Sequence, residues 1–187
     1  MPSRLVRLAA AAGAAVLAAA VLGSCGSGDL PAGPFAEPRT PSIQCQPLAG
    51  HIVTTFGDET VANHGHATAV IDRVAFTDPK GLVLLRAWAV PTTEEIAGMS
   101  WGWPPPPYHL VGWQWNHRHL AAGARVPPAA GKYDRTNLLM VVRLAPGINK
   151  GTAAAIDIWY HVGPNRYHFR TSLGLIVVNR KTCAGVA

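Results

Sequence analysis

Two histidine pairs and one aromatic-rich stretch are the residues here whose types and spacing could do chemistry. His64-Gly65-His66 and His117-Arg118-His119 are both of the form H-x-H. Residues two apart on an extended strand share a face, so each pair could offer two imidazoles to one ion. Imidazole nitrogen suits Zn, Cu and Ni. If the two pairs converge, His64, His66, His117 and His119 make a Zn or Cu site. The competing reading is that Gly65 marks a turn and that these are ordinary surface histidines. A blue-copper arrangement would also need a free cysteine.

The aromatic stretch is Trp101-Gly-Trp103-Pro-Pro-Pro-Pro-Tyr108, followed by Trp113-Gln-Trp115. Aromatics flanking prolines can form a flat platform for a sugar ring or the wall of a groove. Trp101, Trp103, Tyr108, Trp113 and Trp115 are therefore the candidate ligand contacts. The alternative is that some of these rings fill the core while the rest cover a long loop. Long ordered loops are nevertheless where binding residues concentrate.

Catalytic patterns are missing. There is no Gly-x-Ser-x-Gly elbow and no phosphate-cradling glycine loop, and Glu94-Glu95 is a doublet of adjacent acids. Adjacent carboxylates seldom converge on one bond, as glycoside or acyl chemistry requires. A non-catalytic module is expected, with a hydrolase of unrecognised type as the remaining alternative.

The elements that must position these residues read as strands. His51 to Phe56 is β-branched and aromatic, and Gly57-Asp58 is expected to stop it. Asn63 to His66 reads as a turn. Ala67 to Phe76 alternates, but its parity switches near Asp72-Arg73, which predicts a bulge. Leu82 to Val90, Tyr108 to Trp115, Asn137 to Leu144, Ala153 to Val162 and Arg166 to Val178 follow. Gly163-Pro164-Asn165 reads as a three-residue hairpin turn. Thr92 to Met99 could be a short helical segment, and the four prolines of the aromatic stretch exclude an interior strand there. Seven or eight short strands at this spacing predict an all-β domain, an antiparallel β-sandwich of immunoglobulin-like type. The layout, with turns at Asn63-His-Gly65 and Val126-Pro-Pro128, is similar to that of secreted actinobacterial β-sandwich domains. That resemblance covers most of 45–183 and implies no particular activity.

The N-terminus bears on the compartment. Arg4 and Arg7 precede an uncharged apolar run from Leu8 to Leu22, shorter than a membrane-spanning helix needs. The run ends in Leu22-Gly23-Ser24-Cys25, which resembles the lipobox of bacterial lipoproteins. The resemblance implies a signal peptide over 1–24, cleavage before Cys25, a diacylglyceryl thioether on its sulfur and export to the outer face of the cytoplasmic membrane. An ordinary signal peptide cut at a small-residue site is the alternative. Residues 25–44 are rich in Gly and Pro and read as a flexible tether. The domain is then 45–187.

Of three cysteines, the lipobox takes Cys25. Cys45 and Cys183 remain as an even pair in an oxidising compartment, and a bridge between them is expected. The formal charge is +6, and without Arg4 and Arg7 it is 14 basic against 10 acidic residues. Lys and Arg are scattered along the chain, which argues against a nucleic-acid footprint. Expected partners are the membrane through the lipid, and a cell-wall polymer or envelope protein through the domain.

Overall fold

The computed structural model describes residues 30–36, 40–92, 115–131 and 134–186. They form eleven strands and one 3-10 turn, Gly33–Phe35. The strands are β1 (Ser42–Pro47), β2 (Val53–Val61), β3 (Ala69–Thr77), β4 (Leu82–Pro91), β5 (His119–Leu120), β6 (Arg125–Val126), β7 (Thr136–Leu144), β8 (Lys150–Ala153), β9 (Ala155–Val162), β10 (Asn165–Arg170) and β11 (Leu173–Val178). They pair into three open sheets, ordered β1-β11-β8, β10-β9-β3-β6 and β2-β7-β4-β5. The result is an all-β, sandwich-like domain. It is not wholly antiparallel, because β1 runs parallel to β11.

Strand alternation builds the core. On β9, Ile156, Ile158 and Tyr160 are fully buried, while Asp157, Trp159 and His161 between them point the other way. On β10, Tyr167 and Phe169 face inward, and Arg166, His168 and Arg170 face outward. β7 is buried along nearly its whole length on both faces. Leu138, Met140, Val142 and Leu144 join the common core, whereas Leu139 and Val141 lie on the opposite face and are also buried.

Bulges shape the sheets. The register of β3 against β9 shifts between Ile71 and Arg73, where the sequence parity switches. β2 departs from expectation. Gly57-Asp58 does not stop it; a register shift between Phe56 and Glu59 carries the strand through. Glu59 is brought opposite Leu138 and is fully buried. The expected strand over 166–178 is two strands in different sheets, broken at Thr171-Ser172. The β9–β10 hairpin pairs Val162 with Asn165, so its loop is two residues, Gly163-Pro164, rather than three.

The largest departure is at the N-terminal side. Residues 25–44 were expected to form a flexible tether, yet the part of it over 30–36 is packed into the domain. Phe35 is fully buried and stacks on Tyr160, with ring centroids 3.9 Å apart. Gly33 has φ +64, and a Cβ there would fall 2.3 Å from the Tyr167 ring. Only glycine fits such a position. The reason is apolar burial together with hydrogen bonding: one buried Phe contributes about 1.5 to 3 kcal/mol, and the segment is also bonded to Tyr160 and His168. Strand pairing likewise begins at Ser42, ahead of Cys45.

Candidate functional site

The expected disulfide is present. Cys45 and Cys183 are bonded, with Cα atoms 6.0 Å apart across a sequence separation of 138. Cys45 lies on β1, and Cys183 follows the β11 strand that β1 pairs with. Closing so long a loop contributes about 5 kcal/mol in the chain-entropy model.

The two histidine pairs sit in different settings. His64 and His66 are exposed in the turn between β2 and β3. Asn63 builds that turn: its side-chain nitrogen donates to Ala67 O and Val126 O, and its oxygen accepts from Gly65 N. The His64 amide donates to Pro34 O, tying the turn to the packed N-terminal segment. His117 and His119 lie before and on β5, where His119 pairs with Ala89. Among the described residues, no three His, Cys, Asp or Glu side chains are placed to hold one metal ion. The four histidines therefore do not come together as the Zn or Cu site that their spacing suggested. A turn, not a strand, carries the first pair, so the shared strand face that the spacing assumed is not present there.

His117 and His119 instead line one cleft. Its volume is about 390 Å³, within the range of small-molecule sites. Ala89, Pro91, Ala124, Val126, Pro127 and Pro128 give it an apolar floor, and Arg125, Asp134 and Arg135 join the histidines at its polar wall. Several of these polar groups are fixed by the backbone. Thr92 Oγ1 donates to Arg135 O, and Asp134 Oδ2 accepts from Ala130 N. Such a floor with a mixed polar wall suits ligand binding and orientation.

Of the aromatic candidates, Trp101, Trp103, Tyr108 and Trp113 lie outside the described residues. Trp115 is described and makes a clamp. Its ring meets Trp88 edge-on, with centroids 6.2 Å apart. The Arg118 guanidinium sits 3.6 Å from the Trp115 centroid and 4.8 Å from that of Trp88. Arg118 Nη1 also donates to Trp115 O. Arg86 approaches the Trp88 ring at 5.4 Å. Sequence reading found Trp115 but missed Arg118 as its partner. The signal was available, since an arginine three residues on can reach back over an aromatic face.

A second polar cluster was missed altogether. Asp157, 5 % exposed, accepts from His168 Nε2 (2.7 Å) and Arg170 Nε (2.8 Å) at Oδ1, and from Thr77 Oγ1 (2.6 Å) at Oδ2. Burial alone would raise its pKa. The hydrogen bonds from Arg170, Thr77 and His168, with the Arg170 charge, outweigh burial and hold it below the ordinary 3.8. Beside it, Trp159 has the Arg73 guanidinium 3.6 Å from its ring centroid, and the His168 ring stacks on it at 4.7 Å. His161 Nδ1 and Asp72 Oδ1 lie 2.8 Å apart at the β3 bulge. His168 and Thr77 both bind Asp157, so this is a hub around one carboxylate rather than a relay from nucleophile to base.

Comparison with family models, with curated proteins and with solved structures returns no match.

Proposed function

We propose that this chain is an exported lipoprotein, held on the outer face of the cytoplasmic membrane by a diacylglyceryl group on Cys25, whose folded domain is a non-catalytic binding module. The observation that carries the reading is the Cys45–Cys183 disulfide. It accounts for two of the three cysteines, and its presence suits an oxidising compartment. The one cysteine outside the bridge is Cys25, at the end of the apolar leader and within the lipobox-like Leu22-Gly23-Ser24-Cys25. On this reading the sandwich is immunoglobulin-like in type, with two four-stranded sheets contributing to one core. The cleft at His117 and His119 is the contact site for a cell-wall polymer or envelope protein. Its apolar floor and polar wall support that choice.

The test is mass spectrometry of the N-terminal peptide from membranes of a bacterium expressing the full chain. The expected product begins at Cys25 and carries diacylglycerol on sulfur. A Cys25→Ala chain should yield no lipid-bearing peptide and should not be cut before position 25. An uncleaved leader, or an unmodified Cys25 on a membrane-bound chain, overturns the proposal.

A further inference from the structure

We infer that the outer face of the β10-β9-β3-β6 sheet rests on the anionic headgroups of the membrane that holds Cys25. This rests on the lipid anchor proposed above and adds an orientation to it.

The first observation is where the N-terminal segment ends its attachment. Pro31 O accepts the His168 amide of β10, and Ala32 O accepts from Tyr160 Oη of β9. Both strands belong to this one sheet. Six peptide units join Cys25 to Pro31. Covalent geometry limits their span to about 20 Å. A leash of that length does not lift the domain clear of the bilayer. It keeps the β10 edge within about 20 Å of the headgroups and lets the sheet approach to less than one Debye length, where its charge is felt.

The second observation is the charge itself. Strand register assembles on one face residues that are dispersed in the sequence. Val70 pairs with Arg125 on one side and His161 on the other, and His161 pairs with Arg166. Arg73 pairs with Trp159, which pairs with His168. Asp157 pairs with Arg170. Paired residues share a face, and the partners of these on β9 are the outward ones. Arg73, Arg125, Arg166 and Arg170 therefore lie together, and all four are exposed. Asp72 lies with His161 and Asp157 with Arg170, and Asp134 shares the cleft wall with Arg125, so four arginines against three acids still leave the face a positive excess. Guanidinium matches phosphate in planar, bidentate fashion, and Trp159 in their midst is a side chain suited to the interface. A positive face on the leashed sheet fits an anionic lipid surface by both distance and sign.

The experiment uses the lipidated mature chain on two vesicle types, pure phosphatidylcholine and an equal mixture with phosphatidylglycerol. Phenylglyoxal modifies accessible arginines, and peptide mass spectrometry reads each rate. On the anionic vesicles, Arg73 and Arg166 should react about fivefold more slowly than on the neutral ones. Arg180, exposed after β11, should not change. Molar salt should abolish the difference. Equal rates on the two vesicle types overturn the inference, as does equal slowing at Arg180. It is also overturned if soluble single-stranded RNA, without vesicles, protects the same arginines as well as phosphatidylglycerol does. The anchor is read separately, by retention on neutral vesicles in molar salt. Loss there strikes the lipid at Cys25 and not the docking face.

Discussion

The Phe35 ring stacks on Tyr160 with centroids 3.9 Å apart and planes 12° from parallel, and the Phe35 amide donates to Tyr160 Oη at 3.0 Å. Tyr160 Oη in turn donates to Ala32 O at 2.6 Å. One phenol thus fastens both ends of the packed N-terminal turn. Phe35→Ala should cost about 3 to 5 kcal/mol, as large-to-small changes at fully buried aromatics do. Urea denaturation of the two chains measures it. A cost under ~1 kcal/mol would show that the segment is not part of the cooperative fold.

Tyr160 also sets an alkaline limit. Burial raises its pKa to about 12 from 10.0; the Phe35 hydrogen bond opposes this and the Tyr167 charge adds to it. The folded pKa lies above the unfolded one. Its contribution is therefore complete below pH 10 and is lost as pH rises from 10 through 12. Thermal unfolding across that window should fall more steeply in the wild type than in Tyr160→Phe. Parallel curves would remove Tyr160 as the cause.

Asp157 works in the opposite direction. Its folded pKa is held below the unfolded value, so the stability it contributes is present above about pH 3.8 and is lost as pH falls through the lower folded pKa. At neutral pH, Asp157→Ala leaves Thr77, His168 and Arg170 without their shared acceptor, at a cost of about 1 to 3 kcal/mol. The variant should also lose part of the acid limb of the stability curve. Melting temperatures from pH 7 to 2 for the two chains check both statements.

The Trp88–Arg118–Trp115 clamp gives a prediction confined to one corner of the fold. Arg118→Ala removes the guanidinium from two rings, an interaction worth about 1 to 2 kcal/mol at a half-buried site. Arg118→Lys should recover only part of this, because an ammonium cannot lie flat between rings. Chemical denaturation ranks the three chains. Equal stability of the lysine and arginine chains would count against stacking as the source.

How much of this was legible in the sequence follows from the range over which each signal acts. The β3 bulge was visible because a parity switch at Asp72-Arg73 is local. The disulfide was visible because setting Cys25 aside, on the lipobox resemblance, left Cys45 and Cys183 as an even pair. Gly57-Asp58 misled, since the same dipeptide that ends a strand can sit in a bulge and let it continue to Glu59. Phe35 was hidden as one aromatic in a Pro- and Gly-rich run, and its value depends on Tyr160, 125 residues away. The arginine face was hidden for the same reason. Arg73, Arg125, Arg166 and Arg170 look scattered along the chain, and only the pairing of β3 with β6 and β9, and of β9 with β10, collects them.

The histidine pairs yield the last prediction. His64 and His66 sit on the β2–β3 turn, whereas His117 and His119 line the cleft beside Ala89 and Pro91. With no three metal-binding side chains converging among the described residues, each pair acts alone toward an added ion. Two imidazoles leave a tetrahedral Zn site half filled, so binding should be weak and non-cooperative. In a calorimetric Zn titration of the disulfide-bonded chain, the effects of His64→Ala/His66→Ala and of His117→Ala/His119→Ala should add in the quadruple variant, as for independent sites. A tight one-to-one isotherm that either double variant abolishes completely would mean that the two pairs share one ion after all.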